Sequence, residues 1–238
     1  MRQPTHAERL APFAVFPGRD LTSGRPLIAR LIGRKFDQIL DGDGFEKPFD
    51  PRFGKAMLKT LSHLCTVLGC TFGYAERAEL SLFAIAAGGD ARRLLMRIGG
   101  EASAKLSLLL GQVVTFDAHL FELPDVEAAN EYFRWRQEES NAVAIDRYCV
   151  HVLAGSGADS TAVPRILDGL GDEEKVELLR QNALEFSQVP SWQRRGATVR
   201  VRPPVEGESN GDGTARLLVD LNLPADDELR AYLTAALA

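Results

Sequence analysis

The stretch Leu27–Asp50, LIARLIGRKFDQILDGDGFEKPFD, decides how the rest of the chain is read. Leu27–Leu31 is a short apolar run with one charge, Arg30, inside it, which predicts a strand. Gly33 ends the run. Residues 37–50 hold Gly42, Gly44, Pro48 and four Asp (Asp37, Asp41, Asp43, Asp50). That composition predicts a loop, preceded by one helical turn. Acidic residues beside Gly are turn formers more often than metal ligands. A strand that stops at glycine and runs into basic residues is a place to look for phosphate, because backbone N–H groups and cationic side chains converge there.

Downstream, Asp50-Pro51 opens a helix with an Asp cap and Pro at the first position. Phe53, Met57, Leu61, Leu64, Cys65 and Leu68 follow at helical spacing, and Gly69 ends the helix. Thr71–Tyr74 and Leu80–Ala86 predict two strands of a hairpin around the polar turn 75–79. Gly88-Gly89-Asp90 starts a second helix, Ala91–Leu110, and Val113–Leu123 alternates as a fourth strand. The order β-α-β-β-α-β is that of a ferredoxin-like split β-α-β unit. The expected class is α+β, an antiparallel sheet with helices on one face.

Pro124-Asp125 then opens a long helix with a buried stripe from Val126 to Val152. Residues 154–162 break it, and 164–187 read as one further helix. The chain closes with VPSWQRRG (189–196), a hairpin over 197–223 with a loose tip EGESNGDGTA (206–215), and a last helix 226–237. The expected division is 1–153 as a palm-like unit with an N-terminal lead-in and 154–238 as an extension packed on it. No dinucleotide-binding or P-loop pattern occurs.

Composition narrows the classes. The 238 residues are 45% hydrophobic and 26% charged, with a net charge of −5. This argues against a uniformly basic nucleic-acid binder but leaves room for a local basic face. The three scattered Cys predict reduced core thiols rather than disulfides or zinc. No apolar run approaches the roughly 20 residues of a membrane span, and the start lacks a signal-peptide layout. The expected location is the cytoplasm.

Six segments then occur in order: RLIGRKF (30–36), KPFD (47–50), AERAELSLF (75–83), FDAHLFELP (116–124), YFRWRQEESNA (132–142) and VPSWQRRG (189–196). Together they resemble the tRNA(His) guanylyltransferase family, the 3′–5′ nucleotide polymerases, and its bacterial branch. The resemblance implies a polymerase-type palm. It also implies an Mg²⁺-dependent transfer of a nucleotide from GTP or ATP to a tRNA 5′ end. In such a palm, carboxylates at the end of the first strand and in the central hairpin hold two Mg²⁺ about 4 Å apart.

This sequence departs from that pattern at the metal positions. The family's R-L-D-G-R is Arg30-Leu31-Ile32-Gly33-Arg34 here, and its S-D-E is Arg77-Ala78-Glu79. Ile32 and Ala78 replace both Asp at the family's metal positions Ile32, Gly33 and Ala78, and only Glu79 is retained. An aliphatic side chain offers Mg²⁺ no ligand. The resemblance makes Ile32, Gly33, Arg34, Lys35, Phe36, Asp37, Lys47, Arg77 and Ala78 nucleotide-binding candidates. Arg77 either takes over phosphate charge from the metal or pairs on the surface with Glu76 or Glu79. Arg134, Arg136 and Asn141, with the aromatic-plus-basic cluster Trp192, Arg194 and Arg195, are RNA-binding candidates. The competing reading is packed Trp and solvated or paired Arg.

The expected function is a divergent family member deficient in two-metal catalysis. It would bind nucleotide or RNA, or serve as a partner subunit in a homo-oligomer or in a mixed oligomer with an active homologue. Two alternatives stand beside it. One is an active Mg²⁺-dependent transferase with relocated carboxylates, Asp37, Asp117 and Glu79. The other is an interaction or scaffold protein that binds no nucleotide.

Overall fold

The alternation of side chains along a strand sends neighbouring residues to opposite faces of a sheet. In Pro26–Gly33 (β1) both sets are apolar apart from Arg30, so most of the strand is buried on both faces. The computed structural model describes residues 5–15, 18–42, 44–159, 161–202 and 216–237. After β1 come Pro51–Leu68 (α1), Phe72–Glu76 (β2), Glu79–Ile85 (β3), Ala91–Leu110 (α2) and Phe116–Glu122 (β4). Then follow Val126–Gly155 (α3), Val163–Leu167 (α4), Asp172–Gln181 (α5), Ser191–Arg195 (α6), Ala197–Arg202 (β5), Arg216–Asp220 (β6) and Asp226–Leu237 (α7).

The sheet order is β4-β1-β3-β2-β5-β6, antiparallel throughout. Its first four strands are the ferredoxin-like set, and the C-terminal hairpin extends the sheet past β2. On one face Leu27, Ala29, Leu31, Leu80 and Leu82 pack on Leu61 and Leu64 of α1 and Leu106 of α2. On the other, Ile28, Phe72 and Phe83 pack on Tyr132 and Phe133 of α3 and Leu229 and Leu233 of α7. The two palm helices do share a face, as expected. The opposite face is also covered, by the long helix and the C-terminal one. A third cluster joins the C-terminal half of α3, through Ile145 and Tyr148, to Leu179, Phe186 and Val189.

Local chemistry sets several boundaries. Asp50 caps α1 by accepting from the N–H groups of Arg52 at 2.6 Å and Phe53 at 3.3 Å, with Pro51 at the first position. Gly69, at φ 69°, closes the helix. The β2–β3 hairpin is tighter than the polar stretch suggested. Glu76 pairs with Glu79, so the turn is only Arg77-Ala78. The expected single helix over 164–187 is instead three short elements, α4, α5 and the 3₁₀ turn Phe186–Gln188. Gly169 and Gly171 lie in the first break, where glycine disfavours a continuous helix. The loop 206–215, Asp43, Pro4 and Pro17 lie outside the described residues. The three cysteines are buried free thiols. Among the described residues no helix is long and apolar enough to cross a membrane.

The Arg52 side chain, then the backbone donors, hold the Asp50 carboxyl well below the usual carboxylate range. A group lowered in the folded state stabilises above its unfolded pKa, near 4, and loses that contribution as pH falls. Asp50→Ala is therefore expected to lower unfolding stability by about 1–2 kcal/mol at pH 7. The gap to the parent should narrow in urea titrations carried below about pH 4.

Candidate functional site

The end of β1 and the β2–β3 turn meet at one corner of the sheet. Ile32 lies in register between Glu79 of β3 and Asp117 of β4. The Gly33 N–H donates to the Ala78 carbonyl at 2.9 Å, and the Arg34 N–H donates to the Thr115 carbonyl at 2.9 Å. The Gly33 donor expected to face phosphate is thus spent on the fold, and so is the Arg34 backbone donor beside it. Gly33 is needed for packing: a Cβ there would lie 2.3 Å from the Phe36 ring. Phe36 itself is buried, edge-on to Phe53 and Phe116 at 5.8 and 5.1 Å, and forms part of the core rather than a face for a base. Arg34 is exposed with Nε 3.5 Å from Asp117, and Lys35 is an exposed left-handed residue at φ 56°.

A buried ion network fills the space beneath this corner. Arg30 donates to both oxygens of Glu79, at 2.6 and 3.0 Å. Arg136 of α3, 1% exposed, bonds Glu79 at 2.9 Å and also reaches Glu76 and Glu139. Both guanidinium groups lie against the Trp135 ring, 5.4 and 5.1 Å from its centre. Burial, and then the charge of Arg30, push Arg136 down to about 10, so it remains a cation at neutral pH. Burial opposes the charge on Arg30 too, but Glu79 more than offsets it. Arg136, expected as an RNA contact, is instead turned inward because three carboxylates require it there.

Arg77 does not pair with Glu76 or Glu79. It reaches over to Asp37 on the short helix Phe36–Asp41, with a longer 3.8 Å approach to Asp41. Arg147 of α3 bonds the same two residues, at 2.8 Å to Asp37 and 2.7 Å to Asp41. Partial burial pushes the Asp37 carboxyl up, but the bonds and charges of Arg77 and Arg147 reverse this and hold it below its ordinary value. Lys47 donates to the Leu40 and Gly42 carbonyls, closing the end of the short helix. A pocket of about 120 Å³ opens between Phe49, Glu76–Glu79, Glu139 and Val143.

Arg147 was missed in the sequence. Its signal was there: it follows Arg136 by eleven residues, about three helical turns, and so lies on the same stripe of α3. Arg30 was visible as a charge inside an apolar strand, but its partner was not.

The remaining RNA candidates separate. Trp192 packs on Gly54 and Phe49, where a Cβ on Gly54 would lie 2.9 Å from the indole. Arg194 donates to the Val189 carbonyl at 2.8 Å and lies over Phe186. Arg195 accepts from the Tyr74 hydroxyl through its carbonyl at 2.8 Å. Gly196 sits at φ +73°, and a Cβ there would lie 2.7 Å from the Ala75 carbonyl. VPSWQRRG is therefore a joint between β2, α1 and β5. Arg134, Asn141 and the Arg195 side chain do share one groove of about 340 Å³, together with Glu138, Asp172 and Asp226. Those acids oppose a basic RNA surface.

The Mg²⁺ ions that the sequence resemblance implies need converging, uncommitted oxygen ligands. Ile32 and Ala78 supply none, while Glu79 and Glu76 are engaged by guanidinium groups. Among the described residues, no three His, Cys, Asp or Glu side chains form a group able to hold a metal ion. The residues present do not fit a two-metal centre.

Residues 17–124 match the family model described as tRNAHis guanylyltransferase. The fold is similar to that of a bacterial tRNA(His) guanylyltransferase-like protein solved in complex with ATP, with TM-score 0.71 and 20% identity over 92% of this chain and 93% of that one. A bacterial structure of the same description in complex with GTP gives 0.66 and 21%, covering 92% of both chains. The tRNA(His) guanylyltransferase of Saccharomyces cerevisiae gives 0.69 and 17%, over 76% of this chain and 87% of that one. An uncharacterised protein of Acanthamoeba polyphaga mimivirus is 23% identical over 72% of this chain and 68% of its own length.

The ion network has a measurable consequence. Arg136→Gln leaves Glu76 and Glu79 buried with too little positive charge, and is expected to cost about 3–5 kcal/mol at pH 7. Orphaned buried carboxyls have raised pKa values, so they stabilise below their unfolded pKa and lose that contribution as pH rises. The deficit should therefore be smaller at pH 4.5 than at pH 7 in chemical denaturation.

Proposed function

We propose that this chain, which belongs through residues 17–124 to the tRNA(His) guanylyltransferase family, binds a nucleoside triphosphate at the β1–hairpin corner without carrying out two-metal nucleotidyl transfer. The carrying observation is that Glu79, the one acid retained from the family's S-D-E hairpin motif, is clamped by Arg30 and Arg136. An arginine salt bridge satisfies the carboxylate's oxygens and cannot leave without orphaning a buried charge. Relatives of the same fold have been solved with ATP and with GTP, which supports a nucleotide as the ligand class here. Arg77 and Arg147 supply positive charge at the corner, in the part that a metal plays in phosphate binding. On this reading the chain acts as a binding or partner subunit, in an oligomer of its own copies or with an active homologue.

One observation favours the rival reading of an active transferase. Glu79 and Asp117 flank Ile32 on adjacent strands, so two relocated acids stand beside the family's first metal position. Their pairing with Arg30, Arg136 and Arg34 weighs against it.

The two readings are separated by calorimetry and an activity assay run together. The expected result is GTP or ATP binding that changes less than about threefold between EDTA and excess Mg²⁺. It comes with no addition of labelled GTP to a 5′-truncated tRNA. Metal-dependent addition would overturn the proposal in favour of the transferase. Absence of nucleotide binding in either condition would favour an interaction protein. Ile32→Asp combined with Ala78→Asp is expected to make nucleotide binding Mg²⁺-dependent.

A further inference from the structure

Two guanidinium groups converge on one exposed pair of carboxylates at the rim of the site. Arg77 Nη1 and Arg147 Nη2 both donate to Oδ1 of Asp37. Arg147 Nη1 donates to Oδ1 of Asp41 at 2.7 Å, and Arg77 Nη2 lies 3.8 Å from the same atom. The arginines are the inner partners, 15% and 26% exposed, and the aspartates the outer ones, 67% and 54% exposed. The arginines come from large packed elements, the central hairpin and α3. The aspartates come from a six-residue helix, Phe36–Asp41, whose end is held by Lys47.

We propose that Arg77 and Arg147 form a metal-independent clamp for a polyphosphate, and that Asp37 and Asp41 occupy it as internal stand-ins for phosphate oxygens until a ligand displaces them. A guanidinium presents the same fork to a carboxylate and to a phosphate. Two of them side by side repel each other, so the pair needs an anion between them. Burial, and then the neighbouring Arg147, pull Arg77 below its ordinary value despite the opposing effect of Asp37 and Asp41. The resident anions are solvent-exposed ion-pair partners, and such pairs are individually weak. A polyphosphate carries more charge on a single molecule and satisfies both forks at once. The short helix itself stays anchored through Phe36 and Leu40 in the core, so only the aspartate side chains need turn away. For its natural ligand the clamp rests on the nucleotide reading above, but its chemistry is tested with inorganic tripolyphosphate alone.

The test is calorimetry of tripolyphosphate in EDTA, with the full chain. Asp37→Asn combined with Asp41→Asn removes the internal competitor and is expected to strengthen binding about three- to tenfold, the scale of exposed charge pairs. Arg147→Gln is expected to weaken it at least about tenfold, as loss of a charge-assisted fork does. If that variant does not fold, Arg147→Lys keeps the charge, removes the fork and is expected to weaken binding by a smaller factor. Unchanged or weaker binding by the Asn pair would overturn the proposal, as would indifference of tripolyphosphate to Arg147. GTP distinguishes this from the reading it rests on. GTP binding that ignores Arg147→Gln leaves the nucleotide reading standing without the clamp. Tripolyphosphate binding through Arg147 with no GTP binding leaves the clamp standing without the nucleotide reading.

Discussion

The guanidinium of Arg136 is the constraint on which the site depends. A charge at 1% exposure is tolerated only when it is paired. Its partners come from three places: Glu76 at the end of β2, Glu79 at the start of β3, and Glu139 one turn along its own helix. Through Glu79 the network also takes in Arg30 of β1. One side chain therefore fixes how the hairpin, the first strand and the long helix meet. Apolar packing alone, Phe72 and Phe83 on Tyr132 and Phe133, sets the layer spacing but not this alignment.

An arginine network and a metal pair solve the same electrostatic problem differently. Acids gathered at a strand end repel one another unless cations lie between them. Mg²⁺ is exchangeable, leaves coordination positions for substrate and can act on a leaving oxygen. A guanidinium is tethered, spends its donors on the acids and offers no open position. Here Arg30 and Arg136 face Glu76, Glu79 and Glu139, so the tethered cations nearly balance the acids. The Ile32 and Ala78 side chains offer a metal no ligand, and the arginines beneath already engage the acids that remain.

Much of the fold was legible because its signals are local. The Asp50-Pro51 start and Gly69 stop of α1, the apolar strands and the order of elements are each set by residues a few positions apart. The site was legible in its positions and poorly so in its contacts. Ile32, Gly33, Arg77 and Ala78 do gather at one corner. Their partners are 40 residues apart for Arg77 and Asp37, 49 for Arg30 and Glu79, and 110 for Arg147 and Asp37. Helix-spacing rules reach only three or four residues, and of the ion pairs at the site only Arg136 with Glu139 lies within that reach. VPSWQRRG misled for a related reason. An aromatic beside two arginines looks like a surface for RNA, yet the indole is seated on Gly54 and the Gly196 backbone approaches Ala75 too closely for any side chain.

The two arginine networks differ in what can compete with them. Around Arg136 the guanidinium is buried and Glu76 and Glu79 are only 11% and 20% exposed, so exchanging either partner would strand charge in a poorly hydrated space. Around Arg77 and Arg147 the acids face water on a short helix, so losing them strands only cations at the rim. Solvent replaces an exposed carboxylate cheaply, and an incoming anion replaces it with gain. On the proposed reading, the two parts that a metal pair combines, neutralising the acids and gripping the phosphate, would be divided between a fixed inner network and an exchangeable outer one. At that rim the two guanidinium groups lie beneath two exposed aspartates, so the rim presents cations only where those aspartates are displaced.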